Sequence, residues 1–471
     1  MSMVWPAGQF SRTVGAMSLA PPPPITTSAF RRLMMDLRDE RSAQRRAPFP
    51  PGIHAPTLRV TQGFNVDPLA ILLDSYARFG PIFTLRIFHQ KIVFMLGPEA
   101  NHFITVSHAD HFRWRDGHLG DLIPLLGDGL LTIDGDFHRR SRRIMLPAFH
   151  RERIAASHAT MVEETQGAIA RDFHDGARLD LYRWTRRLAM RIAMRALFGL
   201  DPDGRLAREH DAAAQFEAAL GFWATAYWQQ IIRGPGTPWN RMQAARRRLD
   251  VIVYDEIARR RRTGERGEDI LSLLIDAQDE DGTTLDDQHI RDEVMTLLFA
   301  GHDTTTSTVS FLFHELARNP HERDRLQIEP ERLDLVLDET LRMYPAAWIG
   351  PRRSAREFTF AGHRVAAGVC VNYSSWASHH LPDVWGDPEV FRPDRFAPGQ
   401  REQIPKGAYV PFGGGSRICI GMRFGQLEVK TIATEILRDF TLDLPDDYTL
   451  SIRQMPTISP RHGLPVIVRA R

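Results

Sequence analysis

Apolar residues recur at three- and four-residue spacing over residues 69–78, 162–170, 181–198, 244–262 and 270–277. That period predicts helices with one buried face. Two short apolar runs, 82–88 and 92–96, read instead as the strands of a hairpin. Small strands are expected again at 358–360, 369–372 and 464–468, so the fold class is mainly α with small β-sheets. The longest helical stretch, 286–318, is closed by Asn319-Pro320. At its rise per residue it would reach roughly 50 Å, enough to cross a whole domain. In its middle, Phe299-Ala300-Gly301-His302-Asp303-Thr304-Thr305-Thr306 breaks the apolar pattern with poor helix formers. Hydroxyls bonded back to helix carbonyls explain such a patch, and so does a distorted helix whose freed carbonyl makes room for water and oxygen. The two readings are compatible.

Composition narrows the picture. No linker-like shift divides the 471 residues after about position 55, which predicts one large domain over 48–471 in spite of the length. Residues 1–47, with Pro21-Pro22-Pro23-Pro24 and scattered arginines, read as an irregular N-terminal extension. A net charge of +2 gives no reason to invoke nucleic acid. No run of 18 or more apolar residues suggests a membrane anchor. Two cysteines cannot make a disulfide framework, which fits a reducing, cytoplasmic setting.

The chemistry concentrates in Phe412-Gly-Gly-Gly415-Ser-Arg417-Ile-Cys419-Ile-Gly421. A cysteine binds metal only as thiolate, so its surroundings must lower a pKa that is about 8.5 in the free residue. Arg417 adds positive charge, the glycines let backbone N–H groups approach the sulfur, and 422–437 reads as a helix whose positive end faces Cys419. Gly415 and Gly421 are expected to permit backbone angles or contacts that a side chain would forbid; Phe412 is placed to cover a cofactor edge. The plain alternative is a flexible linker beside a buried thiol. Zinc is a weaker reading, because the other cysteine, Cys370, lies in the apolar run Val369-Cys370-Val371 and reads as core. A lone sulfur donor suits haem.

The loop resembles the haem-ligand signature of the cytochrome P450 monooxygenases, and the likeness covers roughly residues 55–470. It implies a single-domain P450 fold in which the long central helix crosses a haem b held by the Cys419 thiolate. Ala300-Gly301-His302-Asp303-Thr304-Thr305 resembles the family's oxygen-activation element. By that likeness Thr304 hydrogen-bonds dioxygen and its water, Asp303 relays protons, and Ala300 leaves space over the cofactor. His138 and Arg142 resemble the family's His-x-x-x-Arg pair and, with Arg353 and Arg417, are expected to hold the propionates; the adjacent Arg352 is an alternative to Arg353. Glu339-Thr-Leu-Arg342 and Phe391-Arg-Pro-Asp-Arg395-Phe396 resemble the segments that join one carboxylate to two arginines beneath the haem.

Only about 50 residues follow Cys419, too few for a reductase domain of roughly 100–150. Electrons are therefore expected from a separate ferredoxin and ferredoxin reductase, with Arg139, Arg140, Arg143, Arg423 and Lys430 as a docking cluster for an acidic carrier. By family likeness the substrate contacts fall on Phe112, Trp114, Leu122 and Leu126, on the lid aromatics Phe216, Phe222, Trp223, Tyr227 and Trp228, and on Ala346, Ala347, Trp348 and Ile349. Such a lining favours a small apolar substrate, a fatty acid, terpenoid, steroid or polyketide, although aromatics at helical spacing are equally often plain core. The expected reaction inserts one atom of O2 into that substrate. A peroxide-driven peroxygenase and a non-catalytic haem sensor are the alternatives, and the acid–alcohol pair Asp303 and Thr304 argues against both.

Overall fold

The structure, a computed structural model, describes residues 29–204, 212–222, 232–278, 282, 284–455 and 457–471. The helices that build the site are α1 (Ala29–Arg46), α2 (Gly135–Met145), α3 (Arg151–Asp172), α4 (Leu181–Ile192), α5 (Pro238–Thr263), α6 (Asp287–Arg318), α7 (Leu333–Met343) and α8 (Met422–Asp439). The strands that frame it are β1 (Gly52–Ile53), β2 (Ile82–Ile87), β3 (Gln90–Met95), β4 (Phe112–Arg113), β5 (Gly350–Ser354), β6 (Cys370–Tyr373), β7 (Ile452–Arg453) and β8 (Ser459–Pro460). This is the mainly helical architecture with small sheets that the periodicity implies.

The long helix is central. Asp286 caps α6 by accepting from the His289 N–H at 2.7 Å, and the helix runs unbroken to Arg318, with Asn319 as its C-cap. Nearly every side chain from Ile290 to Leu316 is buried, as expected of a helix packed on all sides. Its polar patch stays helical within this packing and satisfies its hydroxyls along the axis: Thr304 Oγ1 donates to the Ala300 carbonyl at 2.6 Å, Thr306 to His302 at 2.8 Å and Thr308 to Thr304 at 2.9 Å.

A six-stranded sheet, ordered β1-β2-β3-β6-β5-β4, closes one side. The predicted hairpin is present, with Ile82 opposite Met95 and Ile87 opposite Gln90. Phe88, expected inside its first strand, sits in the turn at φ 53°. Cys370 on β6 lies opposite Ile92 and Arg353 and accepts from Gln90 Nε2 at 3.0 Å, so it is a core thiol in a strand, as expected.

Residues 29–46, expected to belong to an irregular extension, instead form the 18-residue helix α1. Its acidic side chains dock on the sheet. Glu40 pairs with Arg86 and lies 3.6 Å from Lys91, while Asp36 and Asp39 pair with Arg353 at 3.1 and 2.7 Å. These partners lie tens to hundreds of residues away, so the local sequence carries no sign of them.

Candidate functional site

The cysteine loop is shaped by two close approaches. The Cys419 N–H donates to the Phe412 carbonyl at 3.0 Å, folding the loop back on itself. Gly415 has φ +61°, and a Cβ there would lie 2.0 Å from the Thr105 carbonyl oxygen, so both conformation and space require glycine. Gly421 differs from expectation: its φ is −86° and a Cβ would meet nothing closer than 3.7 Å. Its contribution is the backbone N–H, which favours the Cys419 thiolate, as does the charge of Arg142. Desolvation by the surrounding protein is the larger effect and pushes the thiol pKa up, although the side chain itself is exposed to a cavity, so the loop alone does not lower the pKa as anticipated. Helix α8 begins at Met422 with its positive end toward the sulfur.

Cys419 opens into a cavity of about 2460 Å³, larger than the 300–1,000 Å³ or so of an ordinary ligand site. Phe412, Arg417, His138, Arg142, Ala300 and Thr304 line it too, so distant segments meet here as expected. One wall is cationic. Arg417 donates to the Ile133 carbonyl at 2.7 Å and to Asp134 at 2.5 Å, and Arg142 to the Ile418 carbonyl at 2.7 Å. Burial, with Arg352 and Arg142 nearby and despite Asp134, pushes Arg417 down to about 10. Burial, then the charges of Arg417 and Arg142, push His138 down to about 3, leaving a neutral imidazole.

Arg353 does not belong to this wall; its guanidinium is held by Asp36 and Asp39 on α1. Successive residues of a strand face opposite ways, and it is Arg352 that faces the cavity. Its guanidinium carbon lies 3.7 Å from the Trp114 ring centroid, and burial lowers its pKa. Crowded buried cations that depress one another fit a ligand with anionic groups, while the adjacent thiol and apolar walls fit a planar metal-bearing body. These residues therefore fit a haem, with Cys419 as its ligand and Arg142, Arg352, Arg417 and His138 around its acidic edge.

Across the cavity α6 presents Ala300 and Thr304, one turn apart, together with Thr305 and Thr308. Asp303 is fully buried on another face of α6. Its carboxylate lies 3.2 Å from Arg186 Nη2 and 3.4 Å from His302 Nδ1. Burial alone would raise its pKa, but His302, Arg186 and Arg453 together hold it below the usual carboxylate value. Arg186 in turn pairs with Glu217, which is half exposed, so a charged route leads from the surface to Asp303.

Beneath the loop, Glu339 and Arg342 are both 0% exposed and doubly bonded, at 2.8 and 3.0 Å. Arg395 approaches the same carboxylate at 3.4 Å, and the Arg392 N–H donates to it at 2.9 Å. The expected carboxylate with two arginines is therefore present and buried. Sequence reasoning missed His379, which ties this set to the loop. Its Nε2 accepts from the Val410 N–H at 2.9 Å and its Nδ1 lies 3.0 Å from the Arg342 carbonyl, so the ring is neutral with the proton on Nδ1. Also missed was Glu428 on α8, whose carboxyl accepts from Thr305 Oγ1 at 3.0 Å; burial pushes its pKa up to about 8. An isolated acid in an otherwise amphipathic helix gives no sign of this in sequence.

Of the expected substrate contacts, Leu126 is helix-packed core, whereas Phe112, which also packs in the sheet core, and Trp114, Leu122, Ala346, Ala347, Trp348 and Ile349 reach the cavity. Phe216 packs on His302 at 5.7 Å and Phe222 lines the cavity. Trp223, Tyr227 and Trp228 lie outside the described residues. Among the described residues no helix is long and apolar enough to cross a membrane.

A cysteine-bearing glycine loop, a cationic edge and a long threonine-bearing helix around one cavity fit the class of haem-thiolate proteins. The family model for cytochrome P450 matches residues 65–463, and the chain belongs to that family. It is 31% identical over 426 residues to a putative cytochrome P450 139 of Mycobacterium tuberculosis, covering 84% of this chain and 97% of that one. It is 35% identical over 331 residues to the cyclooctat-9-en-7-ol 5-monooxygenase of Streptomyces melanosporofaciens, covering 66% and 72%. Among solved structures, retinoic acid-bound cyanobacterial CYP120A1 superposes with a TM-score of 0.81 at 28% identity, covering 90% of this chain and all of that one. Membership makes the protein a haem-thiolate monooxygenase, an oxidoreductase that uses O2 and redox partners.

Proposed function

We propose that the protein carries haem b and inserts one atom of dioxygen into a small, largely apolar organic molecule, in the cytoplasm, with electrons delivered by a separate ferredoxin and its reductase. The observation that carries this reading is the pairing on α6: Thr304 lines the cavity shared with Cys419, and its neighbour Asp303 is a buried carboxylate linked through Arg186 to surface Glu217. When bound, the haem supplies the iron centre at which dioxygen is reduced and split.

The protein's own residues supply protons and exclude bulk water. Asp303 is ionised and faces Arg186 rather than the cavity, so a proton reaches the site when this pair opens and the carboxyl turns, or a water bridges, toward Thr304. The Thr304 hydroxyl, bonded to the Ala300 carbonyl, acts as donor and acceptor for the incoming oxygen and its water. Confining proton delivery to one path favours splitting of the O–O bond over loss of peroxide. The outer side of the loop suits an electron carrier, because Arg142, Arg151 and Arg423 surround a shallow depression that reaches Cys419. Arg139 and Lys430, placed in the same cluster from sequence, are paired with Asp136 and Asp334 and contribute less net charge.

The test is a reconstituted system of ferredoxin, reductase and NADPH, preceded by the carbon monoxide difference spectrum of the reduced protein. A thiolate-type spectrum that Cys419→Ser abolishes, together with one labelled atom from ¹⁸O2 in the product, is expected. A spectrum of the imidazole type, or labelled product formed from peroxide at a rate that Thr304→Ala leaves unchanged, would defeat the reading.

A further inference from the structure

The arginines that face the cavity fall into groups with different partners. Near Cys419, Arg142, Arg352 and Arg417 are matched to the acidic edge of the cofactor. A second group comes from the β7–β8 hairpin: Arg453, the last residue of β7, and Arg461, just after β8, both line the cavity. Arg453 Nη2 donates to the Tyr182 hydroxyl at 3.0 Å and to Ser459 Oγ at 3.2 Å, and its Nε reaches Ser459 Oγ at 3.3 Å. Arg461 Nη2 donates to the Ile452 carbonyl at 3.0 Å. Among the described residues, the ion pairs of the cavity wall occupy other arginines. Asp303, which feels the Arg453 charge, contacts Arg186 instead. The Tyr182 hydroxyl stands between the two guanidiniums, accepting from Arg186 at 2.9 Å and from Arg453 at 3.0 Å.

The hairpin is fixed in place. The Trp348 indole N–H donates to the Gln454 carbonyl at 2.9 Å, and Ser307 Oγ donates to the Ile458 carbonyl at 2.5 Å, tying the hairpin to the apolar wall and to α6. A guanidinium has five N–H donors; Arg453 directs Nε and Nη2 at neutral hydroxyls, which do not use all of them, and the residue lines the cavity. Phe299, Ala300, Ala346, Ala347, Trp348 and Ile349 form the apolar part of the lining. A fixed cation with no ion-pair partner among the described residues, at the side of an apolar chamber, is suited to a molecule with one acidic end.

We propose that the β7–β8 hairpin is a carboxylate subsite and that the substrate is an amphiphilic acid, its carboxylate held by Arg453 with Arg461 at the rim and its apolar body lying along Ala300 and Thr304. The proposal rests on the monooxygenase reading above and narrows its substrate to one class. Arg453 is half-buried and Arg461 exposed at the rim, so one partly desolvated guanidinium with a solvated second suits a singly charged carboxylate.

The experiment compares acids with their methyl esters on the haem-loaded protein, using hexadecanoic acid and retinoic acid as two unrelated skeletons. Binding is read by the ligand-induced change in haem absorbance and independently by equilibrium dialysis. At neutral pH the acid of each skeleton the cavity accepts is expected to bind about tenfold more tightly than its ester, the gain of one charge-assisted contact. Arg453→Gln loses that preference by weakening the acid alone; Arg453→Lys, which keeps the charge, retains part of it; Arg461→Gln reduces it less. Acids that bind no better than their esters on both skeletons overturn the proposal, as does a preference that survives in haem-loaded Arg453→Gln. Should Arg453→Gln not load haem, dialysis on Arg453→Lys and Arg461→Gln decides, because undiminished acid preference in both rejects the subsite. The carbon monoxide spectrum of the wild type, recorded first, separates this outcome from failure of the monooxygenase reading.

Discussion

Replacing Glu339 by alanine strands two guanidinium groups in the interior. The carboxylate accepts from Arg342 through both oxygens and from the Arg392 N–H, and it is the only acid that approaches Arg395 among the ion pairs of the described residues. Burial already lowers the pKa of Arg395, with Glu339 the chief opposing influence. Removing one partner of a buried set of this kind costs about 3–5 kcal/mol, against a total stability of roughly 5–15 kcal/mol for a folded protein. The loss is directional as well, since Arg342 and His379 connect this set to Val410, nine residues before Cys419. Glu339→Ala is therefore expected to lower the urea midpoint substantially and to lose haem before the helices unfold, while Glu339→Gln, which keeps an acceptor but not the charge, falls between. The assay is parallel urea titration of haem absorbance and far-ultraviolet circular dichroism. A Glu339→Ala protein with wild-type haem content and an unchanged midpoint would refute the reasoning.

Arg352→Ala should accelerate haem transfer to a scavenging globin by about tenfold or more, from the loss of a charged hydrogen bond worth roughly 1.5–3 kcal/mol, whereas Arg353→Ala leaves that rate near wild type and instead loosens α1, read by limited proteolysis. Asp303→Asn should slow turnover by about 10²-fold or more with substrate binding unchanged, and Thr304→Ala should divert reducing equivalents to peroxide, read as product formed per NADPH consumed. Glu428 makes a pH prediction. Its folded pKa, about 8, lies above the 4.5 of an ordinary glutamate, so between those values the folded protein holds a proton that the unfolded chain has released. Stability then falls as pH rises through that window, by up to about 1.4 kcal/mol per unit. Glu428→Gln should flatten this slope and raise the urea midpoint more at pH 8 than at pH 5; equal shifts at both pH values would count against it.

The site was legible in sequence where chemistry is local, and hidden where it depends on packing. The cysteine loop, the α6 patch and the Glu339–Arg342 spacing each lie within ten residues, and all three are found where their patterns indicate. Choosing between Arg352 and Arg353 needed the phase of β5, and that strand is buried on both faces, so no alternation of polar and apolar residues marks which side meets the cavity. Helix α1 was missed because its partners Arg86, Lys91 and Arg353 are far along the chain. Gly415 and Gly421 look alike in sequence, yet only Gly415 presses against another backbone, that of Thr105.

The pairing of Arg353 with α1 also bears on where this polypeptide can be shortened. Adjacent residues of β5 face opposite ways, Arg352 toward the cavity and Arg353 toward α1, so residues 29–46 are stitched to the very strand that lines the cofactor cavity. A version trimmed to begin at residue 48, the boundary that the proline-rich opening invites, would unload Arg86, Lys91 and Arg353 together, and the colour of the purified material would register the cut.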